Sequence, residues 1–161
     1  MAGLDTTPTR AGFLTFIRTI MGIPSGVLPD DSGYIDIAFD VSCGIVNVQI
    51  KCVAPQQYTW AFYNLGGSTL LNIAQDAGDA PPVAGSQPPA AYFVYARRQF
   101  NINGFVSGVI QSAGDEGTNE SMVVQEAAKN FTLANLQQLK DPYGRAYLAI
   151  AQDAGDLWGL S

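Results

Sequence analysis

The sequence predicts a mainly α protein, a small helical bundle of about five helices with an inserted β-hairpin or extended loop. Three observations carry that expectation. Apolar residues recur at helical spacing along most of the chain, most regularly at Tyr34, Ala38, Val41, Ile45, Val48 and Cys52. Cap-and-proline pairs, Thr7-Pro8 and Asp141-Pro142, mark helix starts. The stretch from Asn101 to Ala128 departs from the helical pattern. Its arms, Phe105 to Ile110 and Ser121 to Val124, are β-branched and apolar, and its middle, Ala113 to Glu120, is Gly, Asp, Glu, Thr and Asn.

In chain order, Met1 to Thr6 reads as a loose arm. A first helix opens at Thr7-Pro8, buries Phe13, Phe16, Ile17 and Ile20, and stops at Gly22 and Pro24. Asp30-Asp31-Ser32 offers caps for a long helix reaching Cys52. Its second apolar face, Ile35, Ile37, Phe39, Val46 and Ile50, makes it the expected centre of the bundle. Pro55 opens a third helix with Tyr58, Ala61, Phe62 and Leu65 on one stripe; Gly66-Gly67 predicts a kink or break before Leu70, Leu71 and Ile73. Asp76 to Gln87 is a Gly, Ala and Pro rich linker. A fourth helix, Ala91 to Phe100, shows Tyr92, Tyr95, Ala96 and Gln99 on one face. Beyond the hairpin, a short helix carries Leu133, Leu136 and Leu139. The last helix starts at Asp141-Pro142 and faces inward with Tyr143, Tyr147, Ile150 and Ala151. The chain closes on an apolar tail expected to dock, Leu157-Trp158-Gly159-Leu160-Ser161. The whole is read as one domain over residues 1–161, with a flexible arm at 1–6, a hairpin insertion at 103–128 and a docking tail at 157–161.

Composition narrows the function classes. At 161 residues the chain is long enough to bury about 70% of its unfolded surface without disulfides or metals. Only 14% of residues are charged, against roughly 25% in an ordinary soluble domain. A surface so poor in charge suits a subunit covered by neighbours. The net charge of −6, with only eight Lys and Arg, argues against clamping a phosphate backbone. An acidic wall would instead repel DNA and let it slide past. No basic n-region with a cleavage pattern precedes the first apolar residues, no membrane span is expected, and Gly3 is not placed for myristoylation.

Catalytic chemistry finds little to work with. There is no histidine, which removes Ser-His-Asp and Cys-His arrangements and the usual zinc sites. Phosphate-cradling glycine motifs are absent. Cys43 and Cys52 fall on opposite sides of the expected long helix and read as two buried thiols. Asp115 and Glu116 sit at the hairpin tip and read as solvated acids. The repeat Ala74 to Asp79, recurring as Ala151 to Asp156, reads as two helix ends stopped at a glycine rather than a calcium loop. Catalytic residues, cofactors and metals are therefore expected to be none. A single hairpin is marginal alone in water, so it must pack on its own helices or on another chain.

Four motifs in order give the chain a family resemblance: F-x-x-F-I-R from Phe13 to Arg18, P-D-D-S-x-Y-I-x-x-A from Pro29 to Ala38, G-V-I-Q-S-A from Gly108 to Ala113, and D-P-Y-G-R-x-Y-L-A from Asp141 to Ala149. From about Ala11 to Trp158 the chain resembles the head-to-tail connector (adaptor, neck) proteins of tailed bacteriophages. One branch pairs an S-x-x-S-x-G-S-type hairpin with a T-P-Y-G-x-x-Y helix. Here Asp141 stands in place of the threonine, and the tip Asp115-Glu116-Gly117 is longer and more acidic. The resemblance implies a ring of subunits, typically twelve, below the capsid portal in the virion neck. It is assembled in the host cytoplasm and extends the DNA channel toward tail or collar proteins, with no sequence-specific DNA binding. Its sites are then interfaces: Phe105, Val106, Val109, Ile110, Met122, Val123 and Val124 on the hairpin arms, and Leu157, Trp158 and Leu160 on the tail. A tail-completion or capsid decoration subunit, and a small acidic helical protein-binding module, are the other readings; an enzyme comes last.

Overall fold

A computed structural model describes residues 6–76, 92–104, 113–115, 118–120 and 137–154. The fold is mainly α. Among the described residues six helices follow one another: α1 (Arg10–Thr19), α2 (Gly33–Ile45), α3 (Gln49–Val53), α4 (Pro55–Ile73), α5 (Tyr92–Gln99) and α6 (Pro142–Asp153). Two short strands, β1 (Ala113–Asp115) and β2 (Thr118–Glu120), pair antiparallel with Gly114 opposite Asn119. That pairing falls inside the stretch the sequence assigns to the polar tip. The apolar arms on either side lie outside the described residues.

α1 starts later than Thr7-Pro8 predicts. Thr9 is the cap: its backbone is extended, and its hydroxyl accepts the Gly12 N–H at 3.0 Å. The Tyr63 hydroxyl accepts the Thr9 N–H at 3.1 Å, which ties this end to α4. Phe13, Phe16 and Ile17 are buried as expected, but Ile20 is exposed because the helix has already ended at Thr19. Gly22 then takes the left-handed conformation (φ 68°) that turns the chain away.

The predicted long helix from Tyr34 to Cys52 is two helices, and it is not the centre of the bundle. Val46 goes extended (ψ 119°). The Asn47 side-chain oxygen then accepts the Gln49 N–H at 2.9 Å and restarts the chain as α3. The run Gly44-Ile45-Val46-Asn47-Val48 contains only weak helix formers, so its local preference yields to this turn. Ile35, Ala38, Ser42, Val46 and Ile50 face inward, whereas Ile37, Val41, Ile45 and Val48 face solvent. Cys43 and Cys52 are both exposed, which corrects the expectation of two buried thiols.

The central element is α4, which packs against each of the other described helices. It is unbroken through Gly66-Gly67. A Cβ on Gly66 would lie 2.7 Å from Phe13 Cζ, and one on Gly67 would lie 3.2 Å from Met21 Sδ and from Phe16 Cε1. The glycines are therefore where α1 and its following turn press onto α4. The packing gained outweighs the roughly 1 kcal/mol helix penalty of each glycine. Around them Phe13, Phe16, Phe62 and Tyr63 form one ring cluster, with centroids 5.9 Å apart for Phe13–Tyr63 and 6.1 Å for Phe62–Tyr63.

α5 is anchored by Phe93 and Ala96, not by Tyr95, which is 68% exposed. Asp76 caps it from across the linker, accepting Phe93 N–H at 2.9 Å and Val94 N–H at 3.0 Å. Arg97 returns the support, donating to the Leu71 (2.8 Å) and Ala74 carbonyls at the end of α4. α4 ends at Ile73, just before the first copy of the repeated hexapeptide, and Asp76 serves the next helix; the glycine expected to stop it, Gly78, lies outside the described residues. α6 opens as predicted on Asp141-Pro142 and buries Gly144, Tyr147, Leu148 and Ala151.

Candidate functional site

None of the interface residues expected from the sequence is among the described ones. Phe105, Val106, Val109, Ile110, Met122, Val123, Val124, Leu157, Trp158 and Leu160 all lie outside them. The helical body carries three features that the sequence reading missed.

The first is an apolar face turned to solvent. Ile37, Val41 and Ile45 lie on successive turns of α2; Val48, in the turn that follows, and Val53, at the end of α3, are exposed as well. Ile37, Val48 and Val53 are more than half exposed, up to 79% for Val53, and Val41 and Ile45 keep a little over a third of their surface in solvent. The sequence shows these residues as apolar but gives two apolar faces on one helix, and periodicity alone does not say which of them is covered. Asp40 borders the stripe. Asp36, one turn away, is held by Arg10, and that hydrogen bond keeps its carboxyl below the ordinary range. Cys43 is accessible but not activated: partial desolvation and the Asp40 charge both push its thiol up.

The second is a shallow groove of about 310 Å³ at the C-terminal end of α2, lined by Ile45, Leu65, Thr69, Ile73, Gln137 and Gln138 among others. Inside it Gln138 Oε1 is buried and accepts no hydrogen bond from the described residues. An orphan acceptor of this kind costs roughly 1–3 kcal/mol unless something donates to it.

The third is the outer face of α5, where Val94, Tyr95 and Arg98 are exposed together. The other side of Tyr95, with Tyr92, Ala96 and Gln99, lines a cavity of about 230 Å³ closed by Met21, Leu71, Phe100 and Tyr143. The Tyr92 hydroxyl is already committed to the Met21 carbonyl at 2.9 Å.

Among the described residues the one buried acid is Asp141, fully inaccessible beneath α4. It accepts the Ser68 hydroxyl at 2.6 Å and the Tyr143 and Gly144 N–H groups at 3.0 and 2.9 Å. Burial pushes its carboxyl above the usual range, against these hydrogen bonds and the nearby Arg145 charge. Every oxygen is engaged in capping α6 and tying it to α4, so the group is structural. Among the described residues no cluster of three or more His, Cys, Asp or Glu could hold a metal ion, and no helix is long and apolar enough to cross a membrane. Comparison of the chain with protein-family models, with curated proteins and with solved structures finds no match.

Proposed function

We propose that this chain is a structural virion subunit, part of a ring between the portal and the tail of a tailed bacteriophage. In that place it extends the DNA channel and offers a docking surface for tail or collar proteins. The observation that carries the reading is the solvent-facing stripe Ile37, Val41 and Ile45 on α2, with Val48 and Val53 exposed beyond it, on a chain with only 14% charged residues. Contiguous exposed apolar surface marks interaction sites in soluble proteins. The order of the four sequence motifs supplies the choice of assembly. The net charge of −6 agrees with a channel wall that lets DNA pass without gripping it. On this reading the hairpin insertion at 103–128, with its arms Phe105 to Ile110 and Ser121 to Val124, reaches a neighbouring subunit or the next ring. The tail residues Leu157, Trp158 and Leu160 dock into an adjacent protein.

Light scattering of the purified chain with and without a portal protein tests this. A high-mass species that forms on the portal supports the ring. A chain that ignores the portal and binds an unrelated peptide as a monomer supports the binding-module reading instead. Deletion of Gly108 to Asn119 is expected to leave a folded helical monomer that no longer assembles; retained virion assembly with that deletion contradicts the hairpin's role.

A further inference from the structure

The turn that follows α5 holds the only Asn-Gly pair in the sequence, Asn103-Gly104; every other asparagine is followed by Val, Leu, Ile, Glu or Phe. α5 ends there in a defined way. Asn101 takes the left-handed conformation (φ 53°). Its N–H donates to the Arg98 carbonyl at 3.0 Å, and the Ile102 N–H reaches back to the Arg97 carbonyl at 2.9 Å. This is the helix stop usually built on glycine, with asparagine in the glycine's place and the buried Ile102 as its apolar anchor. Asn103 and Gly104 lie just beyond the anchor, and both are exposed. The Gly104 N–H donates to the Asn101 carbonyl at 3.2 Å, the long end of the range for such bonds. A Cβ on Gly104 would run into the Asn101 side-chain oxygen. Packing of the turn therefore puts a residue with no side chain directly after an exposed asparagine.

We propose that Asn103-Gly104 is a site of spontaneous covalent modification, at which Asn103 loses its side-chain amide as ammonia. Asparagine is a thermolabile residue, and this pair removes its usual protection, because no Cβ on Gly104 shields the main-chain nitrogen. Once the bond to Asn101 opens, the Gly104 nitrogen attacks Asn103 Cγ. The N–Cγ bond forms, the Cγ–Nδ2 bond breaks, and the Gly104 amide proton departs with the NH2 group as ammonia. One water then opens the five-membered imide. Attack at Cγ leaves aspartate. Attack at the main-chain carbonyl leaves isoaspartate, whose main chain is longer by one carbon. No electrons are gained or lost, and water is the co-reactant. Either product adds a negative charge to a chain whose net charge is already −6. Isoaspartate also changes the spacing between the Ile102 anchor and the stretch read from the sequence as an insertion, 103–128. The inference goes beyond the assembly reading and does not depend on it.

Ageing of the full-length chain in mildly alkaline buffer tests it, followed by peptide mass mapping and by labelling with an isoaspartyl methyltransferase. A gain of about 1 Da and the methyl label are expected in the peptide that carries Asn103, about tenfold or more faster than at any other asparagine. Asn103→Gln should lose both signals. Gly104→Ala alone would strike Asn101, so the control is the double variant Asn101→Gly/Gly104→Ala, which removes that contact and keeps a residue suited to the left-handed conformation. Folded by its thermal unfolding, it should lose ammonia about tenfold or more slowly, whereas Asn101→Gly alone should keep the fast loss. A mass gain spread evenly over the asparagines, a label that survives Asn103→Gln, or an Asn103 rate unchanged in the double variant overturns the proposal.

Discussion

Two regions of this molecule have similar apolar composition and opposite fates. The inner side of α4 gathers Phe13, Phe16, Phe62 and Tyr63 around Gly66-Gly67, all buried. The outer side of α2 carries Ile37, Val41 and Ile45, all exposed. Hydrophobicity alone does not separate them. What separates them is the shape of the opposing surface: α4 is cut down to glycine and serine where α1 and α6 approach, while nothing in the described chain is shaped to receive the α2 stripe. Core is therefore defined here by small residues that admit large ones, and on the proposed reading the unreceived stripe is what a partner would cover.

The sharpest way to break this contrast is to remove the large partner from the inner side. Phe13→Ala should cost about 3–5 kcal/mol, read as a lowered urea midpoint. Filling the small side comes next. Gly66→Ala would gain helix propensity on an exposed surface, but here its Cβ meets the Phe13 ring at 2.7 Å. We expect a net loss of about 1–3 kcal/mol, and a gain instead would show that Phe13 moves aside freely.

A smaller effect comes from the Ser68–Asp141 tie between α4 and α6. The native Asp141 carboxyl is raised above its unfolded value, so the folded state holds that proton more tightly. Its contribution is therefore greatest below the unfolded pKa, declines as pH rises through the raised native value, and is flat above it. Asp141→Asn keeps the cap and should remove this slope. The difference in stability between the wild-type chain and Asp141→Asn, followed through the acid range, isolates it from Asp36, whose lowered pKa gives a slope of opposite sign.

The smallest effect on stability belongs to the outer face: Ile37→Ser, at a side chain 52% exposed, should shift stability by no more than about 0.5 kcal/mol, and Val41→Ser and Ile45→Ser, which lose some covered apolar surface, by about 1 kcal/mol each.

Local chemistry made parts of the fold legible in the sequence. Asp141-Pro142 announces α6 because a capping carboxylate and a proline act within one turn. Phe13, Phe16 and Ile17 follow from helical spacing. Tertiary roles were not legible. Gly66-Gly67 reads as a break until Phe13 and Met21 are seen pressing on it. Asp76 reads as a linker acid until Phe93 and Val94 are seen donating to it. The two-faced pattern from Tyr34 to Cys52 promised a central helix because both faces are apolar, but packing around α4 covers Ala38 from one and Ile35, Val46 and Ile50 from the other, and leaves Val41 and Ile45 of the first and Ile37 of the second outside. The hairpin arms and tail named from the sequence lie outside the described residues, and the exposed apolar face of the helical body is a different candidate surface.

The central claim is that the α2 stripe serves assembly and not folding. The most direct measurement is light scattering with portal protein on the triple variant Ile37→Ser/Val41→Ser/Ile45→Ser, alongside its thermal unfolding. The account predicts a folded protein whose unfolding transition falls by about 5–10 °C, as expected for a summed change of about 2.5 kcal/mol, and no high-mass species. A variant that unfolds, or one that still assembles on the portal, contradicts it.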